Sequence, residues 1–121
     1  QPDIGIAIDV TIGGELDDSQ KGSSVLGGGA AIKVMDNSVI CHPEMVKTLE
    51  DLAVSSKIPF QRDVITGGGT DAGSIHLTRE GVLTGGISIP CRYIHSPVEM
   101  VEKTDVSATA RLIAAFAEKT L

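Results

Sequence analysis

Residues 4–11 form a nearly unbroken apolar run, Ile4-Gly5-Ile6-Ala7-Ile8-Asp9-Val10-Thr11. Its lack of alternation predicts a strand buried on both faces. Residues 13–24 are small and polar and predict a surface loop, with Asp17 and Asp18 inside it. Gly27-Gly28-Gly29 then leads into a second strand over 30–35, and Asp36-Asn37-Ser38 makes a turn. The period changes after Pro43, which suits the first position of a helix. Met45, Val46, Leu49, Leu52 and Ala53 recur on one face, and Glu44, Lys47, Glu50 and Asp51 fall outside it. That helix is expected to end near Lys57, before Pro59. A mixed third strand over 60–65 fits a sheet edge. Gly67-Gly68-Gly69 precedes a helix capped by Thr70 or Asp71, running to about Glu80 and ended by Gly81. Residues 82–90 predict a central strand. Thr104 or Asp105 caps a last helix, whose stripe is Val106, Ala110, Ile113 and Ala117, widened by Leu112 and Phe116.

Strands alternating with helices indicate the α/β class: helices covering a largely buried sheet. A chain of 121 residues, 41% hydrophobic, is one domain with enough apolar material for a core. No repeat, low-complexity stretch or linker divides it. The net charge of −6 argues against a nucleic-acid partner. Lys and Arg are scattered, so no basic stripe faces an anionic membrane, and no apolar run nears the roughly 20 residues of a bilayer span. The aromatic residues are Phe60, Tyr93 and Phe116, too few for a stacking platform or an aromatic sugar cleft. The chain starts at Gln1 rather than Met, with no signal-peptide pattern. Cys41 and Cys91 sit in apolar surroundings without metal-type spacing. Two reduced, buried thiols in a cytoplasmic protein is the simpler reading, and a disulfide between them is the other.

Two residue types that bind divalent metals close apolar runs. Asp9 ends the first run, and His95 ends Ile87-Ser88-Ile89-Pro90-Cys91-Arg92-Tyr93-Ile94-His95. In α/β sheets ligands gather beyond the carboxyl ends of strands. A carboxylate on a buried strand needs a partner: a metal, a helix end or a lysine. His95, in a turn stiffened by Pro97, is either a ligand or a satisfied polar residue. Carboxylate with imidazole suits zinc, cobalt or manganese. His76 reads as a helix-face residue and His42 as a turn or capping residue; neither has a ligand four residues on. The segment Thr66-Gly67-Gly68-Gly69-Thr70-Asp71-Ala72-Gly73 is neither a P-loop nor a dinucleotide fingerprint. It is a tight turn with a helix cap, or else a backbone wall of a substrate site formed by Gly69, Thr70 and Asp71.

Taken in order, Ala7-Ile8-Asp9-Val10-Thr11, Ser38-Val39-Ile40-Cys41-His42-Pro43, Gly67-Gly68-Gly69-Thr70-Asp71-Ala72-Gly73 and Arg92-Tyr93-Ile94-His95-Ser96 resemble the M42 family of metallo-aminopeptidases, over essentially the whole chain. The family includes glutamyl and tetrahedral aminopeptidases and proteins once labelled endoglucanases. The resemblance implies a three-layer, zinc-peptidase-like sandwich with a mixed sheet. It implies an aminopeptidase acting on short peptides with two divalent metal ions, zinc or cobalt, and Asp9 and His95 each ligating one of them. It also implies a homo-oligomer, from dimer to dodecamer.

The departures concern what this chain lacks. The family's upstream His, bridging Asp, Glu-Glu pair and dimerisation domain have no counterpart here, and Leu83 stands where relatives commonly have Pro. Residues 1–121 are therefore expected to be the C-terminal part of a catalytic domain, with no general base and no activity alone. The competing expectations are a glycoside hydrolase, which needs two carboxylates about a sugar, and a non-catalytic binding or assembly module on the same fold.

Overall fold

The computed structural model describes residues 2–14 and 22–120. Its elements are β1 (Ile4–Ile12), β2 (Ala30–Met35), α1 (Pro43–Ser55), β3 (Phe60–Val64), α2 (Ala72–Ile75), β4 (Leu83–Arg92), β5 (Met100–Val101) and α3 (Lys103–Thr120). One sheet has the order β1-β4-β2-β3, with β5 added to β4. β1 runs parallel to β4 and β2 parallel to β3, while β2 and β4 are antiparallel. The sheet is mixed, as the family resemblance implies, and β4 is internal as its apolar run predicts.

Alternation along β4 separates the two faces. A Cβ on Gly85 would touch Met45 and Leu49 of α1, so Gly85 and Ile87 face the helices. Gly86 and Ser88 face the other way, together with Asp9, which pairs with Ser88. α1 and α3 pack on each other and across β2 and β4. On the opposite face α2 packs on β1 and β4, with Ile75 against Gly5. The core between sheet and helices is Ile32, Leu49, Ile87 and Leu112, all fully buried, with Ala30, Ala53 and Ala108. Each of the large side chains contributes about 1.5–3 kcal/mol by leaving water.

α1 follows its sequence pattern. His42 is its N-cap and its Nδ1 accepts the Glu44 N–H at 3.2 Å; Met45, Val46, Leu49 and Ala53 are buried. The helix stops where Lys57 takes a left-handed φ of 54°.

Three expectations need correcting, and one short strand was not expected. β1 is not buried on both faces: Ile8 is 55% exposed and Ile4 38%. β1 ends the sheet order, and the two long helices lie over β2 and β4 instead. α2 has one turn, not a run to Glu80: Gly73 and Ser74 are weak helix formers, Leu77 is exposed, and Arg79 turns left-handed at φ 52°. In α3 the buried residues are Asp105, Ala108, Thr109 and Leu112, while Val106 and Ala110 are exposed. The reason is Asp105. Rather than capping its own helix, its carboxylate accepts N–H groups from Gly27 (2.8 Å) and Gly29 (2.9 Å), which sets the rotation of α3. Finally, Met100–Val101 pairs with Cys91 and Arg92, a ladder too short to leave a sequence pattern.

Asp17 and Asp18 lie outside the described residues. Cys41 and Cys91 are both buried, and neither is in a disulfide. Among the described residues no helix is long and apolar enough to cross a membrane.

Candidate functional site

β1, the glycine loop and the turn after β4 enclose a cleft of about 530 Å³, with Asp9, Thr11, Gly67–Thr70 and His95 among its walls. Residues 86 positions apart in sequence are thus brought to one opening, together with the loop between them.

Asp9 sits within β1 rather than at its end. Val10, Thr11 and Ile12 are β-branched and carry the ladder on to Cys91. Asp9 is also exposed, so the cost of burying a bare charge, which the sequence suggested, does not arise. One carboxylate oxygen accepts the Val10 N–H at 2.7 Å. The other has no hydrogen-bond partner among the described residues.

His95 stands three residues past β4, also exposed. Its φ is +61°, and that of Tyr93 is +58°, both uncommon for residues with a side chain. The His95 N–H donates to the Glu99 carboxylate at 2.7 Å, so Glu99 holds the turn. Neither ring nitrogen is hydrogen-bonded among the described residues.

The loop wall owes its shape to Gly68, at φ +93°, where a side chain would be strained. The Gly68 carbonyl accepts the Asn37 N–H at 3.0 Å. Thr70 donates its hydroxyl to Asp36 at 2.9 Å. Gly69 and Thr70 line the cleft, whereas Asp71 is exposed at the start of α2, outside the lining, with no capping bond. Burial acts to raise the Asp36 pKa. Hydrogen bonds from Ser38 and Thr70, with the charge of Lys33 nearby, outweigh it and hold the carboxyl below its usual value.

Beneath the cleft lies a buried cluster that the sequence reading did not single out. Lys33 Nζ is 2.7 Å from Asp63 and 3.7 Å from Asp36. Asp63 also accepts the hydroxyls of Thr11 (2.8 Å) and Ser24 (3.1 Å). The available signal was one charge inside Ala30-Ala31-Ile32-Lys33-Val34-Met35.

His42 and His76 line a separate hollow of about 370 Å³ at the other end of β4. Their Nδ1 atoms are engaged by Glu44 N–H and the Ala72 carbonyl, as turn and helix-end residues.

Carboxylate and imidazole with uncommitted lone pairs, opening into one cleft, are a donor set that fits a borderline divalent cation. Beside Asp9 the Ser88 hydroxyl is buried without a partner among the described residues, a further polar group turned to this face. Two donors are fewer than the three or four a zinc ion takes from protein. Among the described residues no group of three His, Cys, Asp or Glu is placed to hold a metal. The pair therefore fits as part of a centre.

A family model described as M42 glutamyl aminopeptidase matches residues 1–112. A putative aminopeptidase of Acetivibrio thermocellus is 50% identical over 113 residues, covering 93% of this chain and 34% of the relative. The structure of the aminopeptidase APDkam598 from Desulfurococcus kamchatkensis superposes with a TM-score of 0.91 at 46% identity, over 98% of this chain and 34% of the other. The Pyrococcus horikoshii TET1 peptidase, which assembles into a tetrahedron or a large octahedral shell, gives 0.77 at 31% identity, over 96% and 33%. The chain thus spans about a third of the length of these relatives.

Proposed function

This chain belongs to the M42 family of glutamyl aminopeptidases, and on that footing we propose that its protein removes N-terminal residues from short peptides at two divalent metal ions, with Asp9 ligating one and His95 the other. The carrying observation is that Asp9 and His95 both line the cleft walled by the glycine loop, each with lone pairs that no described residue engages. Such ions, zinc or cobalt by family kinship, would lower the pKa of a bound water and polarise the scissile carbonyl.

This chain's residues do the holding. The Val10 N–H fixes one Asp9 oxygen and leaves the other to ligate. The left-handed turn, tied by Glu99, sets the direction of the His95 imidazole. Gly69 and Thr70 give a wall along which a peptide backbone can lie. The general base and remaining ligands belong to the part of the protein outside this chain, so residues 1–121 are a C-terminal portion of the catalytic domain, inactive alone. Kinship to a shell-forming peptidase supports a homo-oligomer. Two buried thiols outside any disulfide suit a reducing compartment such as the cytoplasm. A glycoside hydrolase fits less well, because Asp9 is the one carboxylate in the described lining.

The test is the full-length protein assayed with glutamyl, lysyl and leucyl nitroanilides, with metal content measured for it and for Asp9→Ala and His95→Ala. Turnover that follows bound metal, and metal loss in both variants, is expected. Full metal content and turnover in both variants would reject the reading.

A further inference from the structure

We propose that Lys33 is a positioning residue for the cleft: its buried ammonium fixes the spacing between β1, which carries Asp9, and the glycine loop. The functional part of this inference rests on the metal reading above.

Lys33 is 1% exposed, Asp63 0% and Asp36 3%. A buried lysine is costly unless paired and hydrogen-bonded, and here each of its two partners leads to a different wall. Through Asp63 Oδ2 (2.7 Å) it reaches Asp63 Oδ1, which accepts the Thr11 hydroxyl at 2.8 Å. Thr11 is two residues from Asp9, on the same face of β1. Through Asp36 Oδ2 (3.7 Å) it reaches the Thr70 hydroxyl at 2.9 Å, at the end of the glycine loop. Both walls thus meet at one ammonium. The fold makes room for it: a Cβ on Gly86 would stand 3.0 Å from Lys33 Cβ and 3.4 Å from its Cδ.

Stability alone does not account for the arrangement. Buried ion pairs are often no better than apolar residues of equal volume, and the neighbouring strand positions Ala31 and Ile32 show that this sheet accepts such residues. What an apolar residue lacks is direction. β1 has β4 as its ladder partner, and residues 23–24 join its end to β3, while the glycine loop is tied to the turn at Asn37; the charged cluster adds a side-chain link that runs from Thr11 to Thr70.

The experiment uses the full-length protein. Thr11→Val keeps volume and cuts the β1 link; the Lys33→Met/Asp63→Asn pair removes the charges together. Zinc affinity and, in the metal-free protein, amide hydrogen exchange at residues 9–11 and 68–70 are measured beside the melting temperature. We expect zinc affinity to fall about tenfold for Thr11→Val and roughly ten- to a hundredfold for the double variant, as for lost outer-shell support. Exchange should quicken at both walls. Arg62→Met, which removes a surface pair with Glu50, should change neither. Unaltered affinity and exchange in folded Thr11→Val would overturn the proposal, and that variant decides alone if the double one does not fold. If Asp9→Ala and His95→Ala keep full zinc affinity, the metal reading has failed, and amide exchange in the metal-free protein still decides the positioning role.

Discussion

The Thr11 hydroxyl donates to the Asp63 carboxylate at 2.8 Å, although β1 and β3 stand at opposite ends of the sheet order. In a flat sheet three strand spacings would hold these strands about 14 Å apart. The sheet must therefore curl over this face. Its weak seam allows that, since β2 and β4 pair at only Ala31–Ser88 and Ile32–Ile87. The curl places a buried polar cluster, built from residues distant in the fold, behind Thr11 and Thr70 of the cleft lining.

Removing the acid from that cluster strands a charge. Asp63→Ala leaves Lys33 buried, with Asp36 no nearer than 3.7 Å. Breaking a buried pair in this way costs about 3–5 kcal/mol. Urea denaturation of the full-length protein should show a loss of that size, and one below about 1 kcal/mol would mean that water or Asp36 compensates.

His95→Asn separates the backbone of the turn from the chemistry of the ring. Asn tolerates the left-handed region better than most residues, so the φ of +61° and the Glu99 contact should persist. The imidazole is lost. A melting temperature close to the parent's is expected, with turnover down by at least the roughly ten- to hundredfold that loss of a mere supporting partner costs. Equal turnover in a kinetic assay would remove His95 from the site.

Much of this was legible in the sequence, and the misses have physical causes. α1 could be read because its buried face depends on one period, from Met45 to Ala53, with no competing demand. α3 was read a third of a turn off because Asp105 is drawn inward by two glycine N–H groups, a tertiary bond that periodicity does not carry. β1 looked doubly buried because Ile4, Ile6 and Ile8 record an apolar strand and not what covers it. Of the site, the two candidate ligands stood out by residue type. Lys33 and Asp63 did not, since their meaning lies in a pairing across 30 residues.

Asp36 makes stability depend on acid. Its folded pKa lies below the unfolded value of 3.8. The ionised form is thus favoured by folding, and its contribution is present above pH 3.8 and lost as pH falls through the folded value. Denaturation midpoints measured from pH 6 downward should drop less steeply below about pH 4 in Asp36→Asn than in the parent. Parallel curves would deny Asp36 this role.

Cys41 acts at the opposite limb. Burial, partly offset by Lys33, pushes its thiol from 9.0 up to about 11. The neutral thiol is favoured by folding, so its contribution holds below pH 9.0 and is lost as pH rises toward about 11. Native protein at pH 8 should resist iodoacetamide at Cys41, as followed by mass spectrometry, and react once unfolded in urea. Rapid native labelling at Cys41 would show that the site opens.

The 121-residue chain by itself tests how the active centre is divided. Its described cleft offers one carboxylate and one imidazole, too few to hold a metal ion pair in place. With added zinc or cobalt it should hydrolyse aminoacyl nitroanilides no faster than the metal in buffer. β1, at the end of the sheet order with Ile8 exposed, should also make it associate in size-exclusion chromatography. Turnover near the full-length rate would instead require the missing ligands and base to come from residues 1–121, and would send the search to the acidic residues outside the described segments, Asp17 and Asp18 first.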